Sequence, residues 1–591
     1  MIEPRLYRAA FLPALLAAVV VMFSLENRPP AAPQGLPADV IFDGELAARQ
    51  AADIVRRNPD RRAGSGGDER IANEVARRLA AAGFTTVRDS FNAEGERLVN
   101  VVGRRAGRLR NQIVVIAAHD ATSVPDATGS AADTAALLEL ARVFRGRPSR
   151  RTLVLASVDG GTLGDAGTSR VVERLENGDP VDAVVVLSNF GARRTDGSPL
   201  VQWGSSGTRS SIGLVRTAEA SLRQEFARLP REAGAIGQML RVAAPVGIGA
   251  QGQLIEDGLP AVRLSGSGEL PPPRSETQLE DLSADRLGDF GRSALRTLSA
   301  VDGGPRLEHG PGTYLIVARK VLPGWALAAL VAALLLPPFV ASVDAYARAR
   351  RRREHVGAAT PWLLAGIVPF LGGFGLAELL ALAGAVDLPG GTPAPEAVPL
   401  DGRAGAALGV TLAGIALLWL VARPWIAGGR ERLSDPGTGH ACATALVLNL
   451  CSPILWLVNP FTALLLVPAA HVWTLALLAE PRPRRLAGGL ALATGLLSAV
   501  AVGVYYMVSL ELNPLDGFWY LFVLVTDGEL GLLLTLLGCL LLGVTASTAA
   551  ILVGGPRAHN DPARERPAIR GPGGHVGPGA LGGTPSGIRR R

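Results

Sequence analysis

The sequence is short of cysteine, lysine and aromatic residues, and each shortage removes a class of explanation. Its three cysteines, Cys442, Cys451 and Cys539, all fall inside apolar runs. They offer neither a disulfide framework nor a thiolate metal site, and read as small residues of a helix core. Lys320 is the single lysine among many arginines, which is a composition bias rather than a nucleic-acid code. Aromatic residues make up 5% of the chain against 48% hydrophobic, so the apolar content is mostly Ala, Leu and Val. No G-x-S-x-G elbow is present, which leaves Ser205-Ser206, Ser210-Ser211 and Ser265-Gly-Ser267 as loop material.

What is present divides the 591 residues in two. Asn27 to Arg319 has the mixed composition of a soluble domain, whereas Val321 to Val553 carries long apolar stretches with few charges. Ala9 to Leu25 is a further apolar run, preceded by Arg5 and Arg8 and without an Ala-x-Ala cleavage site, so it reads as an uncleaved anchor. Seven more spans are drawn at about 322–342, 361–386, 404–426, 440–458, 460–479, 486–509 and 530–553, each near the roughly 20 residues a membrane helix needs. Arginines mark alternate loops: Arg348 and Arg350 to Arg353, then Arg430 and Arg432, then Arg482, Arg484 and Arg485, then Arg564 and Arg566. The intervening loop 387–403 has Asp387, Glu396 and Asp401 against one arginine. By the positive-inside rule this gives eight spans in a cell membrane, both termini cytoplasmic and residues 26–320 outside. Phe518 to Val525 reads as an interfacial or re-entrant piece. The expected division is 1–8 N-terminus, 9–25 anchor, 26–44 linker, 45–303 soluble domain, 304–321 linker, 322–553 seven-span region and 554–591 disordered Gly/Pro/Arg tail.

Within the soluble part, strand-like runs recur at Leu98–Val102, Ile113–Ala118, Thr152–Val158, Ala183–Leu187 and Ala261–Leu264. Helical spacing separates or precedes them at Glu45–Arg56, Asp68–Ala82, Ala131–Phe144 and Ser210–Ala227. The alternation predicts a three-layer α/β/α domain with a mostly parallel mixed sheet, followed by an all-α membrane bundle. In such sheets ligands bind beyond the carboxyl ends of the strands.

The order Arg62-Ala-Gly-Ser-Gly, Gly83-Phe84, Asn100-Val-Val-Gly103, Ile113 to His119, Ala135 to Arg142, Leu153 to Gly160 and Gly258-Leu-Pro-Ala-Val262 resembles the di-zinc aminopeptidase family. The resemblance implies a zinc-exopeptidase fold. It also implies a site of two His, two Asp and one Glu holding two zinc ions, with a further Glu as general base. Carried over position by position, the first His is His119, with Asp120 beside it and Ala121 where the family has Asp. The bridging Asp falls on Gly129, the Glu pair on Gly161 and Thr162, the next Asp near Ser188-Asn189, and the last His on Gln251. One ligand of five survives, and the other histidine of this region, His309, lies near the membrane. Asp126 or Asp133 could stand in for the bridging Asp.

Inside the apolar region Glu378, Asn449 and His471 sit well within spans, as functional groups or as interhelical hydrogen-bonding residues. The anchor, domain and multi-span order resembles endoplasmic-reticulum metallopeptidase-like proteins and the attachment subunit of the GPI transamidase. Three readings follow. The first is a non-catalytic domain without a cofactor that binds a peptide or protein or scaffolds a membrane complex. The second is an active zinc exopeptidase with a divergent site of His119, Asp126 and Asp133. The third is small-solute transport through the bundle, centred on Glu378 and His471. None calls for a nucleic-acid partner.

Overall fold

The computed structural model describes residues 3–33 and 41–554, except 177, 195–196, 231–232, 308–309, 311, 355, 387, 389 and 430–435. His309, Asp387, Arg430, Arg432 and all but the first residue of the expected tail therefore lie outside the described residues.

Among the described residues ten strands run β1 Glu26–Asn27, β2 Thr85–Ala93, β3 Glu96–Arg105, β4 Gln112–Ala118, β5 Thr152–Val158, β6 Val181–Ser188, β7 Leu200–Val201, β8 Ala261–Ser265, β9 Tyr314–Val317 and β10 Lys320–Pro323. Seven form one sheet in the order β2-β3-β5-β4-β6-β8-β7. Its centre, β5-β4-β6-β8, is parallel, and β2, β3 and β7 join it antiparallel. The centre is parallel because β4, β5 and β6 are near-continuous runs of Val, Ile, Leu and Ala buried on both faces. Helices cover those faces. Gly44–Arg57, Ser130–Phe144, Ile212–Glu225 and Ala284–Gly303 pack on one side around Leu137, Leu140 and Phe290. Ala166–Glu176 and Gln251–Glu256 pack on the other, against Val114, Ile116 and Val154. The sequence expectation of a mostly parallel mixed sheet between helical layers is what this chain forms. The five expected strands are present. The β2–β3 hairpin, closed by Glu94 and Gly95 at positive φ, has a polar, largely exposed outer strand and so lacks an apolar signal.

Among the described residues seven helices are long and apolar enough to cross a membrane, one near the N-terminus and six in the apolar region: Pro4–Phe23, Gly324–Arg351, Thr360–Leu382, Gly402–Ile426, Thr438–Val458, Arg485–Ser509 and Leu532–Gly554. The expected span 460–479 is not one continuous helix. It is Pro460–Leu464 followed by Val467–Leu477. Pro468 has no N–H to give the Leu464 carbonyl, so the ladder breaks there. The two pieces still run from one end of the bundle to the other. Thr462 Oγ1 donates to Ala243 O of the soluble part at 2.7 Å, while Glu480 pairs with Arg352 at 3.1 Å. Arginine-bearing turns gather at that second end, where Arg348 also meets Glu3 and Arg482 donates to Pro436 O. The soluble part and the arginine turns thus occupy opposite ends of the bundle. Leu417, Leu420, Val421 and Trp425 stay exposed along Gly402–Ile426, a face suited to hydrocarbon.

Phe518 to Val525 lies in a helix of its own, Pro514–Thr526, at the soluble-domain end. Trp519 Nε1 donates to Val398 O at 2.9 Å and Tyr520 Oη to Pro393 O at 2.8 Å, so this helix holds the loop between the Thr360–Leu382 and Gly402–Ile426 helices.

Candidate functional site

Side chains alternate along a strand, so neighbouring residues at its end face opposite layers. At the end of β4 this separates Asp120 from His119. Ile116, Ala118 and Asp120 face an open cavity of about 280 Å³; His119 is not among its lining residues.

The cavity lies beyond the carboxyl ends of β4, β5, β6 and β8. Its walls include Asp120, Asp126, Asp133, Gly161, Thr162, Asp165, Ser188, Asn189 and Arg263. Its outer wall is the loop Gly390 to Ala397, which belongs to the helical region. Six carboxyl side chains line it (Asp120, Asp126, Asp133, Asp165, Glu269, Glu396) against the guanidinium groups of Arg263 and Arg274. Glu269 is paired with Arg241, and Arg263 donates to the carbonyls of Ile248 and Glu269.

Each carboxylate has a local reason for its position. Asp126, at φ +50°, accepts from Ser130 N at 3.2 Å and Ser130 Oγ at 2.8 Å, and so closes the start of the Ser130–Phe144 helix. A Cβ on Gly129 would lie 2.3 Å from Asp126 Oδ1 and 3.0 Å from Asn189 Oδ1. Asp126 therefore fills the space that a side chain at position 129 would need. Asp133 accepts from Asn189 N and Phe190 N at 2.8 and 2.9 Å, which ties the helix to the end of β6. Burial nonetheless pushes its carboxyl up to about 8. Burial likewise pushes Asp165 up to about 6, against the pull of Arg263. Asp120 accepts from Gly161 N at 2.9 Å, and burial followed by the nearby Asp159 charge raises it well above the ordinary range. These groups hold protons at pH values where free carboxyls are ionised, and a cation entering the cavity would displace them.

This donor set does not fit two zinc ions held as the resemblance implies. No imidazole lines the cavity among the described residues. Gly161 and Thr162 bring no carboxylate, and Gly129 has no room for one. Gln251 is buried but does not line the cavity; its Nε2 donates to the carbonyls of Trp203 and Ile248.

The divergent set His119, Asp126 and Asp133 does not come together either. His119 lies on the other side of the β4 end, with Asp68 and Asp159. Its Nδ1 is 2.9 Å from Ser157 Oγ and its Nε2 is 3.5 Å from Asp68 Oδ1. Asp68 is placed there by Ser65, whose hydroxyl accepts from Asp68 N at the start of the Gly66–Ala81 helix. Asp159 follows β5, and its Oδ2 accepts from Val99 N at 2.9 Å. Asp68, Asp159 and the cavity residues Asp165, Arg263 and Glu269 were not legible as site residues. They are far apart in sequence, and the signal for Asp68 is only an acidic residue in a helix's first turn.

In the bundle, Asn449 Nδ2 donates to Thr474 Oγ1 at 2.8 Å, joining two helices. His471 lies 2.6 Å from Tyr7 Oη and 2.8 Å from Leu334 O, joining three. Glu378 is half-buried on Thr360–Leu382, which packs on Gly402–Ile426 and Leu532–Ala549, away from His471 and its partners.

No protein-family model and no curated protein matches the sequence. Among solved structures, a glutaminyl cyclase from Fimbriiglobus ruber is 17% identical, the match covering 46% of this chain and 99% of the other at a TM-score of 0.37. LapA of Legionella pneumoppila is 17% identical over 45% of this chain and 74% of its own, at 0.37. BSAP, a zinc aminopeptidase from Bacillus subtilis, is 12% identical over 46% and 98%, at 0.36. At these identities and scores no family, activity or residue role is taken from the matches. Each match covers somewhat under half of this chain, which also carries the apolar helices.

Proposed function

We propose that this is a multi-pass membrane protein whose soluble domain, outside the cytoplasm, binds a peptide or protein segment without cleaving it. In this reading both termini are cytoplasmic, and the arginine turns face the cytoplasm. The observation that carries the reading is the makeup of the cavity. It keeps the position of a site, beyond the carboxyl ends of the parallel strands. Its walls are carboxyl-rich, but imidazole is absent from them among the described residues, and Gly161 and Thr162 stand where the resemblance implies a Glu pair. Hydrolysis by the paired zinc ions that the resemblance implies needs imidazole beside the carboxylate ligands and a Glu as base for water. Recognition of a positive group needs only carboxylates that a cation can deprotonate. The ligand chemistry favoured is a basic segment or a free amino end. The wall formed by Gly390 to Ala397 adds a reason for the membrane attachment, since part of the cavity comes from the helical region.

The test uses the full-length protein in detergent. Fluorescence anisotropy is read with a labelled Arg-rich peptide bearing a free amino end, and with an acetylated acidic peptide of equal length. Binding of the first, weakened at least about tenfold by Asp165→Asn, supports the reading. Equal affinity for both peptides, or no change in the variant, contradicts it.

A further inference from the structure

The buried group beside β4 holds three orphaned polar atoms. Asp68 Oδ1, His119 Nε2 and Asp159 Oδ1 are each buried without a hydrogen-bond partner. Three ligand atoms of these residues lie within 4.8 Å of one another. Three such orphans in one buried group are rare, because each is a desolvation cost that only a proton shared between Asp68 and Asp159 or a bound cation offsets. We infer that Asp68, His119 and Asp159 form a buried site for one divalent cation, zinc being the best match, separate from the cavity and structural in role.

The chemistry of the set is the first support. One imidazole nitrogen and two carboxylate oxygens suit zinc, whereas calcium and magnesium take oxygen. The second is distance. Two atoms each about 2.1 Å from a tetrahedral zinc stand about 3.4 Å apart. His119 Nε2 and Asp68 Oδ1 are 3.5 Å apart, at the limit for a hydrogen bond and near that edge. No two of the ligand atoms lie more than 4.8 Å apart, so a turn of the carboxylates of at most about 1.4 Å brings each pair to that edge.

The third support is the shell behind the ligands. Ser157 Oγ engages Nδ1 of His119, which fixes the ring with Nε2 facing the carboxylates. Val99 N holds Asp159 through its other oxygen, and Asn100 Oδ1 accepts from Asp159 N. Arg61, the nearby buried cation, is committed elsewhere: it donates to Asn58 O, Asp126 O and Ser130 Oγ. The order Ser157, His119, Asp68 also has the look of a nucleophile relay. With Ser157, His119 and Asp68 all buried, no substrate reaches it. An ion so enclosed would be taken up during folding, not exchanged at the surface.

The inference does not depend on what the cavity binds. It is tested on full-length protein produced in zinc-supplemented medium and purified in detergent, with metal counted by mass spectrometry. The expected result is about one zinc per chain in the wild type and in Asp126→Asn, and under about a tenth in His119→Gln and Asp68→Asn. Under about a tenth in the wild type overturns the site, and the group is then a proton-sharing acid pair beside a neutral imidazole. Loss in Asp126→Asn with retention in His119→Gln also overturns it, and places the metal in the cavity. Should the site variants fail to accumulate, zinc X-ray absorption of the wild type decides. A single imidazole with oxygen ligands is expected; two imidazoles, or none, contradict the assignment.

Discussion

The two faces at the end of β4 differ in a way that three residues explain. Ala118 and Asp120 face a cavity with room for a ligand, walled by carboxyl groups and reached by a loop from the helical region. His119, between them, faces a closed group in which every donor and acceptor comes from the soluble domain's own core. The surviving histidine is therefore not evidence for a surviving catalytic cavity. A shift of one residue along a strand end exchanges the face.

The largest expected effect comes from breaking the cavity's frame. Asp126→Ala removes the acceptor of Ser130 N, Ser130 Oγ and Thr122 N and leaves buried donors unpaired. Thermal denaturation should show a loss of about 2–4 kcal/mol. The same change should leave the zinc count of the Asp68 group untouched, and a parallel loss would mean that the two faces are not independent.

A second effect is in pH. Asp165 and Asp133 have carboxyls raised to about 6 and about 8 by burial. A bound cation favours their ionised forms, so binding releases protons, and affinity should rise with pH through this window and level off above it. The slope should approach about tenfold per pH unit for each proton released. The sign for folding is the reverse. Between the ordinary carboxyl range and these raised values, the folded chain holds more protons than the unfolded one. These two groups therefore make the fold less stable as pH rises from about 4 to about 8. Peptide titrations and melting curves between pH 5 and 9 separate the two trends. An affinity that falls with rising pH would contradict the assignment of these groups to the cation.

The sheet was legible because its central strands are unbroken apolar runs bounded by turns, and the parallel order followed from their alternation with helices. The long apolar helices were legible from the length of their runs, except at Pro468, where a span drawn on hydrophobicity alone breaks in two. The site was harder. Counting motif positions from His119 carries no record of which way a residue points, and the chain turns His119 away from the cavity that Asp120 lines. Glu396 entered the reading only as an outer-loop charge, yet it lines the cavity. That placement depends on Trp519 and Tyr520, more than a hundred residues on, holding the loop in place.

The smallest effect sharpens this last point. Tyr520→Phe removes the bond to Pro393 O and little else. It should cost about 1 kcal/mol and weaken peptide binding by roughly fivefold, read by anisotropy. No change in affinity would show that the loop wall plays no part in recognition.

The central claim, that the cavity binds and does not cut, is tested most directly by turnover. Full-length protein in detergent, supplied with zinc, would be assayed on aminoacyl-nitroanilides and on peptides with a free amino end, with products followed by mass spectrometry. The account predicts no product above the protein-free control, whether or not zinc is counted in the Asp68 group. Product that forms with zinc and vanishes in Asp126→Asn would contradict it, and would make the carboxyl-lined cavity a working hydrolytic site.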